Sequence, residues 1–229
     1  MNILYNINVL LSYRSSAVEH PFHKRDVTGS NPVDSTLQRY YQLNINMKNL
    51  SINDVLVRLK QDIYVQDYSK KKVIDGVKIV EVKKFFGEDG TFEELTRINE
   101  HGALEAFPDF KVRQINRSKI LAGSIKAWHL HYRQEDIWYV PAEDHMILGI
   151  WDLRNDSDTK DVKMRVIMGG GSTKLVLVPR GVAHGVVNVS KKSGTILYFV
   201  NEQFNFSDPD EKRLKWDAAG ADFWEIKKE

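Results

Sequence analysis

The chain contains no cysteine, which removes disulfides, thiolate nucleophiles and cysteine-ligated zinc from consideration. It also lacks an excess of either charge: 33 basic residues stand interspersed among 31 acidic ones, for a formal net charge of +2. Without a basic stripe or a polybasic helix, neither nucleic acid nor a membrane surface is expected as a partner. No apolar run reaches the roughly 18 residues needed to cross a bilayer, and the cytoplasm is the expected compartment. Internal repeats and low-complexity tracts are absent too. The glycine triplet at 169–171 is not followed by the lysine-then-hydroxyl pair that completes a phosphate loop. What is there is 229 residues, 42% of them hydrophobic, which suits one domain with a real core.

The opening "MNILYNINVLLSY" is apolar only in patches, has no basic start and no small-residue cleavage site, and does not read as a signal peptide. The stretch after it back-translates unusually. Ser15 to Glu19 corresponds to the D-arm of a transfer-RNA gene and Gly29 to Pro32 to its T-arm, at about the spacing those arms have. Residues 1–46 are therefore expected to be non-native, with translation beginning at Met47, or else a disordered extension, and His20 and His23 belong to no site. Residues 47–72 read as a short helix and a charged linker. Ser51 or Asn53 caps the helix, and Val55, Leu56, Leu59 and Ile63 fall at helical spacing.

From residue 73 to 229 the pattern changes to nine short runs rich in Val, Ile, Trp and Tyr, such as "HMILGIWDLR" and "TKLVLVP", divided by turns such as "GEDG" and "SKKSG". That spacing predicts an all-β antiparallel jelly-roll barrel. Its closing segment is expected to lie across the barrel as a loop or short helix, anchored by Trp216 and Trp224. Trp138, Tyr139 and Trp151 are read as packing.

Within "GSIKAWHLHYRQED", alternation along a strand puts His129 and His131 on one face and Trp128, Leu130 and Tyr132 on the other. Two polar rings on an interior face need partners, because buried unpaired polar groups are costly. Glu135 follows across the strand end, and "VPRGVAHGVVN" brings in His184 after a proline-glycine turn. The spacing Gly123–x5–His129–x–His131–x3–Glu135, then Pro179–x–Gly181–x2–His184–x3–Asn188, resembles the two cupin motifs. In metal-binding cupins three histidines and a glutamate hold a divalent ion, and imidazole with carboxylate suits Fe(II), Mn(II), Ni(II) or Zn(II).

From about residue 79 to 224 the chain also resembles the dTDP-4-dehydrorhamnose 3,5-epimerase family, itself a cupin. The likeness rests on "KKFFGEDGTFEEL", "VRQINRS", "GSIKAWHLH", "IWDLRNDSDT", "LVPRGVAHGVVNVS" and "TILYFVNEQFNFSDPDEKRLKWD", in that order. It implies an isomerase of dTDP-rhamnose biosynthesis, active as a homodimer. Such an enzyme removes a proton beside the C4 ketone of a dTDP-4-keto-6-deoxy sugar. His129 matches the base and Tyr198 the opposing acid. Lys126, Gln114, Asn116 and His184 match substrate-binding positions, and no cofactor is implied.

This chain departs from the family at several points. Asp89 stands where the family has a nucleotide-binding arginine, and Asp136 where it has a pocket lysine, reversals expected to weaken attraction for a diphosphate. The carboxylate that pairs with the base has no counterpart at its usual place, and Asp152, Asp217 or Glu135 is expected to substitute. His131 replaces a glutamine. Two alternatives stay open: a metal-dependent isomerase or dioxygenase with a divalent ion on His129, His131, Glu135 and His184, and a non-catalytic sugar- or nucleotide-binding cupin.

Overall fold

The computed structural model describes residues 49–228, so the stretch 1–46 set apart above lies outside the described residues. The chain divides into two compact units, Met1–Asp67 and Tyr68–Glu229. In the described part of the first, the expected helix is corrected to two short 3-10 segments, Ile52–Asp54 and Val57–Asp62. Ser51 does act as the cap: its hydroxyl accepts from the Asn53 N–H, and its own N–H donates to Asp54 Oδ2 at 2.8 Å. The α-helix does not continue because the helical stripe has nothing to bury. Leu56, Leu59 and Ile63 are all exposed, and packing of an apolar face supplies most helix stability in proteins. Four β-branched residues among 52–63 add a modest propensity cost.

The second unit is built from strands. In chain order they are β1 (Lys78–Val82), β2 (Lys84–Gly87), β3 (Gly90–Glu93), β4 (Ala103–Leu104), β5 (Phe107–Lys111), β6 (Gln114–Ile120), β7 (Ile125–Leu130), β8 (Asp136–Tyr139), β9 (His145–Asp152), β10 (Lys163–Gly169), β11 (Thr173–Val178), β12 (Val182–Asn188), β13 (Gly194–Val200) and β14 (Lys212–Arg213). Two five-stranded sheets form, ordered β1-β11-β8-β13-β6 and β10-β9-β12-β7-β14. The pairings are antiparallel. This is the jelly-roll sandwich the strand pattern predicts.

Period-two alternation explains the layers. Met146, Leu148 and Ile150 of β9 meet Val176 and Val178 of β11 and Ile196 of β13 in a buried cluster drawn from both sheets. The intervening residues serve the outer faces. Ile137, Tyr139, Leu175 and Phe199 pack with Leu104, Phe107 and Phe110 from β4 and β5. Trp128, Ile147, Ala183 and Val187 pack with Trp224, from a 3-10 segment at Ala221–Trp224. Trp224 is therefore the anchor expected of it. Trp216 is corrected: the residue is 48% exposed, and its contribution is a backbone carbonyl that accepts from the Trp224 indole at 2.8 Å. The glycine triplet also has a backbone explanation. Gly169, Gly170 and Gly171 all have positive φ, and a Cβ on Gly169 would lie 2.1 Å from the Asp144 carbonyl oxygen.

Candidate active site

The inner face of β6 alternates Gln114, Asn116 and Ser118 inward with Ile115, Arg117 and Lys119 outward, so one strand contributes a row of polar groups between the sheets. Across from it, β7 and β12 present His129 and His184. Together with β13 they enclose a cavity of about 940 Å³, lined by all six residues expected to form the site: His129, Tyr198, Lys126, Gln114, Asn116 and His184. His131 lines it as well. The alternation behind this holds, because Trp128 is fully buried on the opposite face and Tyr132 is exposed. Gly185 permits the closeness of β7 and β12. A Cβ there would come within 2.3 Å of the Ala127 Cβ, and the strands pair His184 directly with His129. Their rings lie parallel with centroids 5.9 Å apart.

Several of these side chains are already oriented by neighbours. Gln114 donates to Asn116 Oδ1 at 2.7 Å and accepts from the Phe204 N–H, and Lys126 donates to Ser118 Oγ at 3.2 Å. Tyr198 pairs in register with Trp138 and Asn116, its ring 6.0 Å from the Trp138 ring. Asp89 does not belong to this group. It sits in the β2–β3 turn and lines a separate surface depression, so its charge is not part of the cavity wall.

The carboxylate beside the base is Glu211, which none of the sequence expectations named. The His129 Nδ1–H donates to Glu211 Oε1 at 3.1 Å, leaving the Nε2 lone pair as acceptor. Arg213 Nη1 donates to that Nε2 at 3.3 Å, while its Nη2 pairs with the same glutamate. The three expected substitutes are corrected. Asp152 is held by Arg154, Ser157 and Thr159 in the turn after β9. Asp217 is exposed and does not line the cavity. Glu135 turns outward to Arg180. Burial first, then the neighbouring His184, Arg213 and Lys126, hold the His129 imidazole far below its ordinary value, so the ring is neutral and ready to accept a proton at neutral pH.

Glu135 is also corrected as a metal ligand, and its neighbour Asp136 faces the cavity instead. Asp136 is buried and stands with His131 and His184, with one donor atom from each within 4.8 Å of the others. Burial would raise the Asp136 carboxyl, but His184, His131 and the Trp138 indole outweigh it and keep the group ionised. The physical reason for the swap is alternation: after the loop at 132–135, Asp136 opens β8 on the same inward face as Trp138.

The fold and the site define a cupin-type jelly roll whose sugar-sized cavity places a neutral histidine, oriented by a carboxylate, in the same enclosure as a tyrosine. Known proteins carry this further. The family model described as dTDP-4-dehydrorhamnose 3,5-epimerase matches residues 71–225. The spore coat polysaccharide biosynthesis protein SpsL of Bacillus subtilis (strain 168) is 40% identical over 145 residues, covering 63% of this chain and 91% of that protein. The solved dTDP-4-dehydrorhamnose 3,5-epimerase of Bacillus anthracis str. Ames, with TDP and PPi bound, superposes with a TM-score of 0.56 at 22% identity, over 69% of this chain and 90% of the other. The dTDP-6-deoxy-D-glucose-3,5-epimerase of Legionella pneumophila Philadelphia 1, in complex with dTDP-4-keto-L-rhamnose, gives 0.54 at 23% identity, over 62% and 74%. The chain belongs to the dTDP-4-dehydrorhamnose 3,5-epimerase family and is a sugar epimerase, an isomerase.

Proposed function

We propose that the substrate is a dTDP-4-keto-6-deoxy sugar and that the reaction is proton transfer at the carbons flanking its ketone. The carrying observation is His129, neutral, fixed through Nδ1 by Glu211 and facing the cavity that Tyr198 also lines. His129 Nε2 takes the proton once Arg213 yields its place, and the C4 oxygen gathers the resulting negative charge. Tyr198 returns a proton from the other face. Lys126, Gln114, Asn116 and His184 contact the nucleotide-sugar, and neither proton is moved by a bound ion. The relatives that bind TDP or a dTDP-4-keto sugar support this choice of substrate. The test is incorporation of solvent deuterium at C3 or C5 of a dTDP-4-keto-6-deoxy sugar. Incorporation supports the reading, whereas saturable binding with no exchange would overturn it in favour of a binding module.

Glu211 acts through His129 as a positioning residue. Glu211→Gln keeps the shape but removes the charge that steadies the imidazolium. The expected result is a fall of roughly 10–100-fold in kcat with KM little changed, and recovery in Glu211→Asp. Equal losses in both variants would sink the role.

We further assign the working form as a homodimer in the cytoplasm. The β2–β3 hairpin shows Phe86 at 80% and Phe92 at 63% exposure, apolar surface that a second copy would cover. Light scattering is expected to give the mass of two chains, and Phe86→Glu to shift it toward one. Among the described residues no helix is long and apolar enough to cross a membrane.

A further inference from the structure

Both histidines on the floor of the cavity commit their Nδ1–H to the main chain. His184 donates to the Val182 carbonyl at 3.2 Å, and His131 to the Asp210 carbonyl. A neutral ring held in this way carries its lone pair on Nε2. The two Nε2 atoms converge on one carboxylate oxygen: His184 Nε2 is 3.3 Å from Asp136 Oδ2, and His131 Nε2 is 4.0 Å from it. With both rings in their neutral form, three acceptors face one point. Their side chains are 2%, 3% and 8% exposed, where unsatisfied polar atoms are expensive. His184 Nε2 has no hydrogen-bond partner among the described residues, so its approach to Asp136 is close in distance without hydrogen-bond direction. The donors that Asp136 does have, Gln134 Nε2 at 2.7 Å on Oδ1 and Trp138 Nε1 at 3.1 Å on Oδ2, orient the carboxylate.

A single proton could sit between His184 and Asp136, but it would leave His131 Nε2 with only Gln134 Nε2 at 3.5 Å. A cation satisfies all three acceptors at once. Metal-bound imidazoles characteristically donate their far N–H to a carbonyl or carboxylate, as both rings do here. Bonds of about 2.0–2.2 Å place adjacent ligand atoms of one ion roughly 3–3.5 Å apart, the separation already present between His184 and Asp136. We propose that His131, Asp136 and His184 form a binding site for one divalent transition-metal ion, of the Fe(II), Mn(II) or Zn(II) class that two imidazoles and a carboxylate select. All three ligands line the cavity, so the remaining coordination positions open toward the sugar, where a carbonyl oxygen could be polarised. His129 and Tyr198 keep the proton transfers, and His184 then meets the sugar through the ion rather than directly.

Titration of the untagged, chelator-stripped full chain tests the site, without substrate and therefore independently of the epimerase reading. Calorimetry with Mn(II), Zn(II) and anaerobic Fe(II) is expected to show one ion per chain. The visible spectrum of the Co(II)-loaded protein is expected to report imidazole ligation. Asp136→Asn and His131→Gln each weaken binding by roughly 100-fold or more, while Glu135→Gln and His129→Asn leave it in place. No binding by the folded wild-type chain overturns the proposal. So does binding of equal strength in folded Asp136→Asn and His131→Gln.

Discussion

His129→Asn is expected to lower solvent-deuterium incorporation into a dTDP-4-keto-6-deoxy sugar by about 10²–10⁴-fold, the usual contribution of a positioned general base. The change is chosen for what it preserves. The asparagine amide can still reach Glu211, which in the native chain accepts from His129 Nδ1 at 3.1 Å and pairs with Arg213. The carboxylate is then not left unpaired, and the loss falls on the proton acceptor Nε2. Burial and the neighbouring charges keep that nitrogen unprotonated, so the base needs no activation at neutral pH. The same surroundings make it a weak base, and Glu211 offsets this by favouring the imidazolium that forms. Tyr198→Phe separates the two halves of the reaction. With the base intact and the opposing acid gone, deuterium should still enter while the inverted product does not accumulate. Mass spectrometry of the recovered sugar nucleotide, with binding measured alongside, reads both. Undiminished exchange in His129→Asn would remove the histidine from the mechanism.

The parts of this site that were legible in the sequence are those set by local periodicity. Alternation alone puts His129 and His131 on one face and Trp128 on the other, and the cavity wall confirms it. The row Gln114, Asn116 and Ser118 obeys the same rule. What was not legible depends on pairing between distant segments. Glu211 lies in "DPDEKR", which looks like a solvated charge run, and only the two-residue strand β14, paired with β7 through Arg213 and His129, brings it to the base. A signal did exist there: alternation within 210–213 groups Glu211 with Arg213 and separates them from Asp210 and Lys212. The Asp210 carboxylate instead caps the N–H groups of residues 132–134, and its carbonyl accepts from His131. Asp136 was obscured differently. A charged residue at a strand start reads as surface, yet every residue of β8 is buried.

Asp152→Ala is expected to destabilise the fold by roughly 3–5 kcal/mol, the range for stripping one partner from a buried charge pair. For a domain of this size that corresponds to a fall of roughly 10 °C in Tm. Asp152 is fully buried at the end of β9. Its two oxygens accept from the Arg154 guanidinium at 2.8 and 2.9 Å, from Ser157 Oγ at 2.6 Å and from Thr159 Oγ1 at 2.6 Å. That is why the residue cannot also serve His129: its lone pairs hold together the turn that carries "DLRNDSDT". Burial opposes ionisation, but the hydrogen bonds from Arg154, Ser157 and Thr159 prevail and hold its carboxyl well below the usual aspartate range. A depressed folded value gives a stability contribution that is complete at neutral pH. It is lost as pH falls from the unfolded value of about 3.9 toward the folded one. Asp152→Asn should therefore be destabilised at pH 7, because its amide offers donors where Arg154 already donates. Below about pH 4 it should lose less further stability than the wild type. Urea unfolding of the three proteins at pH 7 and pH 3 measures both effects, and parallel pH dependences in wild type and Asp152→Asn would show that the acid sensitivity arises elsewhere.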